Sequence, residues 1–108
     1  MSISDLLAYL YFDHMNIDPA NPKDENRDRL VLSKGHCAPA LYAALAERGY
    51  FDKALLGTLR QHDSILQGHP DLKHIPGVDM STGSLGLGFS AACGMALAAK
   101  SDGKDYRT

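Results

Sequence analysis

The chain has 108 residues, 11 of them basic and 13 acidic, for a formal charge of −2. A chain this short is at most one domain and buries only about two-thirds of its unfolded surface, so its core is modest. Near-balanced charge and the lack of a basic run leave a polyanion nothing to grip, which excludes nucleic acid as an expected partner.

Ile3, Leu6, Leu7, Leu10 and Tyr11 form one apolar stripe at helical period and predict a first helix. Ser2 or Ser4 can cap it, Asp5 suits its first turn, and His14 suits its C-terminus, where a partly positive imidazole is favourable. Residues 16–29 lose the periodicity around Pro19 and Pro22 and are expected as an exposed loop. Leu30-Val31-Leu32 is a short apolar run that predicts one strand at 29–32, ended by Ser33-Lys34-Gly35-His36. Pro39 fits the first turn of the next helix, Leu41, Tyr42 and Leu45 give that helix a buried face, and Gly49 stops it. Asp52 is the expected cap of a short third helix through Leu55, Leu56 and Leu59, after which 61–80 is irregular.

Glycines at 83, 86 and 88 stand directly before the last helix. They serve either a tight turn or a close backbone approach to a ligand, and the helix dipole there suits an anion or a polarised heterocycle. Gly88, Ala92, Ala96 and Ala99 give this helix one face almost without bulk, against which another backbone can pack. Phe89, Cys93 and Leu97, on a second face, are expected as ordinary core. Residues 80–99 carry no charge, yet four glycines, three serines and a threonine interrupt them. Their mainly apolar part, 85–99, is shorter than the ~20 residues of a membrane span. A buried soluble helix is expected, with no membrane partner.

Cys37 and Cys93 lie far apart without Cys-x-x-Cys spacing, which suggests reduced thiols inside the cell. No cationic region followed by a long apolar core marks a secretory signal, so a cytoplasmic location is expected. Five histidines invite a metal reading, but none shows the paired spacing of a zinc site, and no metal ligand is assigned. His62 and His74 read as surface or loop residues. His36 and His69 each sit at a corner beside glycine or proline, the kind of corner that presents an imidazole into a cleft at the end of a sheet.

Four blocks carry a resemblance to a known family. They are Asn26-Arg27-Asp28-Arg29-Leu30-Val31-Leu32-Ser33-Lys34-Gly35-His36, Gly68-His69-Pro70, Pro76-Gly77-Val78-Asp79 and Ser81-Thr82-Gly83-Ser84-Leu85-Gly86-Leu87-Gly88. In order and separation they resemble transketolase, in the N-terminal, diphosphate-binding half of the thiamine-diphosphate enzymes. The opening Ser2-Ile3-Ser4-Asp5-Leu6-Leu7 is similar to that family's early helix, so the resemblance covers nearly the whole chain. It implies an α/β fold: a mostly helical fragment of a Rossmann-like, parallel-sheet domain spanning 1–108. His36 then matches the histidine that contacts the cofactor and lines the reaction centre. His69 matches the histidine that bonds the donor sugar's hydroxyls and helps protons move. Gly83, Ser84 and Leu85 match the loop whose backbone meets the cofactor's aminopyrimidine end, although many members carry proline where Ser84 stands.

The implied activity is transfer of a two-carbon ketol unit from a ketose phosphate to an aldose phosphate, as in the pentose phosphate pathway. The implied cofactors are thiamine diphosphate and a divalent metal, magnesium or calcium. The implied partners are the sugar phosphates, the remaining transketolase chain or C-terminal subunit, and further copies in a homodimer or other homo-oligomer. The family's Ser-Gly-His-Pro segment is expected before residue 1, and its metal- and diphosphate-holding segment after residue 108. The isolated chain is therefore expected to bind the cofactor weakly and to catalyse nothing. The alternative is a non-catalytic truncated fragment or interaction module that docks on a partner subunit. Deoxyxylulose-phosphate synthase, a relative with the same cofactor, fits the Leu-Ser-Lys-Gly-His and Gly-His-Pro blocks less well. A lone strand cannot form a sheet, so the chain by itself is expected to self-associate or be marginally stable.

Overall fold

The structure, a computed structural model, describes residues 3–108. Helix α1 (Ser4–Tyr9) runs on into a π-helical turn, Leu10–His14, closed by the Met15 N–H on the Leu10 carbonyl at 2.8 Å. Leu7 and Tyr11 of the apolar stripe are buried, whereas Leu6 lies 57% exposed. The widened turn carries the chain toward Asn16 and leaves His14 at its end, where it stacks on Tyr9 with ring centroids 5.6 Å apart. The expected serine cap is corrected: Ile3 is the N-cap residue, Ser4 begins the helix, and Ser2 lies outside the described residues.

Helix α2 (Ala38–Arg48) follows a 3-10 turn, Gly35–Cys37, with Pro39 in its first turn as expected. Leu41, Tyr42 and Leu45 are buried, and Leu66, Ile75 and Val78 from the irregular region close over the same core. Gly49 ends α2 with φ 104°, and its N–H and that of Tyr50 satisfy the last carbonyls, an arrangement only glycine adopts cheaply. Asp52 caps the next segment through the Ala54 N–H at 2.9 Å. That segment, Lys53–Thr58, is a 3-10 helix, with Leu55, Leu56 and Leu59 packed half-buried against the core.

The strand expected at 29–32 does not form, and among the described residues the regular structure is entirely helical. The reason lies in where the backbone amides go. Arg29 N–H donates to the Arg107 carbonyl at 2.8 Å, one bond toward the chain's last residues. The next amide, Leu30 N–H, donates instead to the Asp79 carboxylate at 2.9 Å, so a side chain takes the place of a neighbouring strand. A ladder needs successive backbone pairs, and one bond does not make one.

Helix α3 (Leu87–Ser101) packs by its small residues, and the expectation that Phe89, Cys93 and Leu97 form core on a second face is corrected. Gly88 and Ala99 are its buried residues, while Phe89 and Leu97 are each 68% exposed and Cys93 is exposed too. Of the small-residue face, Ala92 is half-buried and Ala96 exposed. A Cβ at Gly88 would stand 2.8 Å from Ser33 Cα and 3.2 Å from Val31 Cγ1. The close backbone approach is thus real, and it turns the bulkier face outward. No helix among the described residues is long and apolar enough to cross a membrane.

Candidate functional site

The four sequence blocks meet in space, and glycine is what lets them. A Cβ on Gly35 would lie 2.8 Å from the Thr82 carbonyl carbon and oxygen and 2.9 Å from Gly83 N, so the Gly35-His36 corner rests backbone to backbone on the glycine loop. On the other side of that loop a Gly83 Cβ would meet the His69 ring at 3.6 Å, ordinary contact distance. His36 and His69 are both exposed, and Ser84 and Leu85 are exposed beside them. The structure therefore brings His69 against Gly83, and the residue preceding His36 against the same peptide unit.

Two further links hold this arrangement. Ser33 Oγ accepts the Phe89 N–H at 3.2 Å, capping α3 from a distant loop, since the N-cap residue Gly86 has no side chain to do so. Gly86 itself takes φ 86° with open space around it. Asp79 is buried, accepts the Arg27 guanidinium Nη2 at 2.6 Å and the Leu30 N–H, and so ties the Pro76–Asp79 corner to the stretch that leads to His36. Sequence reasoning quoted Asp79 and Ser33 within motifs but gave them no role. The one available signal was a short polar residue at the end of an apolar run. Gly88, read with the loop glycines as a ligand approach, is instead a packing glycine.

The corner at His69 continues into a second polar cluster. Asp71 Oδ2 accepts His74 Nδ1–H at 2.5 Å, and Asp71 Oδ1 accepts the Lys73 N–H at 2.9 Å. The His74 hydrogen bond foremost, then the Lys73 amide, holds the Asp71 carboxyl below the usual carboxylate range. Residues 67–71 with Lys73, His74 and Ser81 line an open depression of about 810 Å³ that contains His69. A separate cavity of about 470 Å³ lies between His14, Asp28 and residues 103–107, away from both singled-out histidines. No cluster of three or more potential metal ligands occurs among the described residues.

One polar group beside the glycine loop has no partner among the described residues. Thr82 Oγ1 is buried without a hydrogen-bond partner among the described residues, an unspent polar group one position before Gly83. Its residue packs between Gly35, whose Cβ would meet the Thr82 carbonyl, and Gly88 in the first turn of α3, whose Cβ would stand 3.0 Å from Thr82 Cγ2.

A glycine loop at the entrance of a helix, packed on the Gly35-His36 corner and beside the His69 ring, is what the geometry defines. Over residues 1–108 the chain matches the family described as transketolase, thiamine diphosphate binding domain, and it belongs to that family. It is 59% identical over 102 residues to the 6-deoxy-6-sulfo-D-fructose transketolase subunit SqwG of Clostridium sp. (strain MSTE9), covering 94% of this chain and 37% of that protein. It is 46% identical over 108 residues to one subunit of the apulose-4-phosphate transketolase of Phocaeicola vulgatus, covering all of this chain and 38% of the relative. Transketolase of Pichia stipitis, solved with sedoheptulose 7-phosphate, superposes with a TM-score of 0.80 at 40% identity, over 84% of this chain and 14% of that one. The chain thus spans little more than a third of the two subunit relatives.

Proposed function

We propose that these residues form the cofactor-facing part of a transketolase that moves a two-carbon ketol unit from a ketose to an aldose carrying an anionic group. The observation that carries this reading is the meeting of the Gly35-His36 corner, the His69 ring and the Gly83 backbone at one point, in a chain of this family. Thiamine diphosphate, when bound, supplies the two-carbon carrier.

In this reading the backbone of Gly83, Ser84 and Leu85 holds the cofactor's pyrimidine end. His36 and His69 face the reacting carbons, where positioned imidazoles take up and return hydroxyl protons, each worth roughly 10²–10⁴ in rate. A divalent ion, magnesium or calcium, would be held by ligands outside these residues. The remaining transketolase polypeptide, whether continuous or a separate subunit, would complete the site. A homodimer in the cytoplasm suits such an enzyme. That two relatives are named as subunits and are longer than this chain supports a requirement for further polypeptide.

The test is reconstitution: ketol transfer measured with the chain joined to or mixed with the remaining segments, thiamine diphosphate and magnesium. Activity is expected only in the assembled protein, and His36→Ala and His69→Ala are each expected to lower kcat by about 10²–10⁴. An unchanged rate in both variants would remove the two histidines from the mechanism. Micromolar binding of thiamine diphosphate by the chain alone would show that the cofactor site is complete within these residues. The docking-module reading draws on the exposed α3 face and predicts instead that assembly forms without any transfer activity.

A further inference from the structure

The His69 ring stands beside Gly83, and no hydrogen bond among the described residues fixes it. Its position must therefore come from the chain on either side. Before it, Gly68 makes a bend beside the Arg60 side chain, which a Cβ there would approach to 3.5 Å. After it, Pro70 is buried, and the next residue is Asp71.

Asp71 connects the two blocks whose separation matters. Its Oδ1 accepts the Ser81 hydroxyl at 3.4 Å, and Ser81 Oγ in turn accepts the Leu72 N–H at 2.8 Å. Ser81 lies two residues before Gly83, and Asp71 two residues after His69. The carboxylate therefore links the two blocks: His69 to Asp71, across to Ser81, and along to Gly83, beside which the His69 ring stands with room for no more than a Cβ between them, which would meet the ring at 3.6 Å. The other carboxylate oxygen is taken by His74, so both oxygens are occupied and the group is held from two directions. A purely local turn would need only the Lys73 N–H bond. The bond to Ser81 spans ten residues, so it ties that turn to the segment that enters the glycine loop.

We infer that Asp71, braced by Ser81, is a positioning residue that holds the His69 imidazole over the Gly83 backbone. The inference rests on the transketolase reading above for its readout, because a misplaced imidazole registers only in the reaction it serves. A shift of about 1 Å in a positioned group costs on the order of 10²-fold in rate.

The experiment is a double-mutant cycle in the assembled enzyme. Asp71→Ala is expected to lower kcat about 10- to 100-fold, with thiamine diphosphate affinity within about twofold of the parent. In a His69→Ala background the same substitution is expected to change kcat by less than about twofold, because residues acting through one group are not additive. Ser81→Ala, which removes the brace and leaves the carboxylate, should give a smaller loss that also vanishes in the His69→Ala background. This variant decides the matter if Asp71→Ala does not fold. An equal loss in both backgrounds would show that Asp71 supports the fold generally and would overturn the inference, as would an undiminished kcat in Asp71→Ala and Ser81→Ala. If the unsubstituted assembly transfers no ketol unit, the functional reading falls, and the positioning role falls with it.

Discussion

Glycines in this chain do unlike things, and the differences are decided by what a Cβ would touch. At Gly35 the neighbours are the Thr82 carbonyl and the Gly83 amide, both backbone, at 2.8 to 2.9 Å. Neither can rotate away. Gly35→Ala is therefore expected to destabilise by about 1–3 kcal/mol, the usual cost of overpacking, and to part the His36 corner from the glycine loop. A urea titration of the purified chain checks the first effect. A loss of transfer activity beyond that explained by unfolding, in the assembled enzyme, checks the second. Of the five histidines, His62 and His74 are exposed with carboxylate neighbours and His14 ends the π-helical turn, as their sequence positions suggested. His36 and His69 stood out in sequence because glycine and proline flank them. That Gly83 lies beside the His69 ring and against Gly35, the residue before His36, could not be read there, since it comes from a separate block.

Helix α3 shows opposing effects within a single element. Alanine exceeds glycine in helix propensity by about 1 kcal/mol, which alone would make either Gly88→Ala or Gly94→Ala stabilising. Nothing lies within 4 Å of a Cβ at Gly94, so there the gain is expected in full. At Gly88 the Ser33 backbone stands 2.8 Å away, and an overpacking cost of about 1–3 kcal/mol outweighs the gain. The two variants should thus shift the thermal midpoint in opposite directions, and parallel shifts would contradict the packing described. Ser33→Ala removes the hydroxyl that accepts the Phe89 N–H and is expected to cost about 1 kcal/mol, the usual value of a cap. The small face of α3 and the backbone approach it permits were legible in the sequence, but the exposure of Phe89 and Leu97 was not. A helix with both a small face and an apolar face can bury either, and the loop at 31–33 decides by lying against the small one.

At the scale of the molecule, the core built on α2 contrasts with an unpartnered apolar surface. The Cα radius of gyration, 13.4 Å, is close to the ~13 Å of a compact domain of this length. Yet Leu85, Leu87, Phe89 and Leu97 are between 61% and 75% exposed along α3 and its entrance. An isolated chain is accordingly expected to self-associate, measurable as a concentration-dependent sedimentation coefficient. Leu97→Lys should weaken that dependence, and a concentration-independent monomer would count against it. Alkaline pH offers an independent probe of the core. Burial, with smaller contributions from Asp79 and Tyr50, holds the Tyr11 hydroxyl well above the ordinary phenol range. Burial also pushes Tyr42 up to about 12. The unfolded chain releases these protons near pH 10 while the folded chain keeps them. Stability is therefore full below that pH and falls as pH rises past it toward the folded values. Urea midpoints taken from pH 8 to 11 should be level at first and then decline, and Tyr11→Phe should make the decline shallower.

What the sequence by itself determined is local or covalent in origin. Gly49 ending α2, Pro39 opening it, Asp52 capping the next turn and the Leu41, Tyr42 and Leu45 face all follow from dihedral preferences and period, which need no distant partner. The ordered blocks also sufficed to place the chain in its family. Tertiary structure decided whatever depended on where a backbone amide or a helix face finds its partner. The apolar run at 29–32 has strand composition, but the Asp79 carboxylate takes the Leu30 amide that a sheet would need. The glycine loop has the composition of a cradle, but the His69 ring and the Gly35 corner acquire their places beside it only through contacts between residues 35, 69 and 83, which no sequence period links.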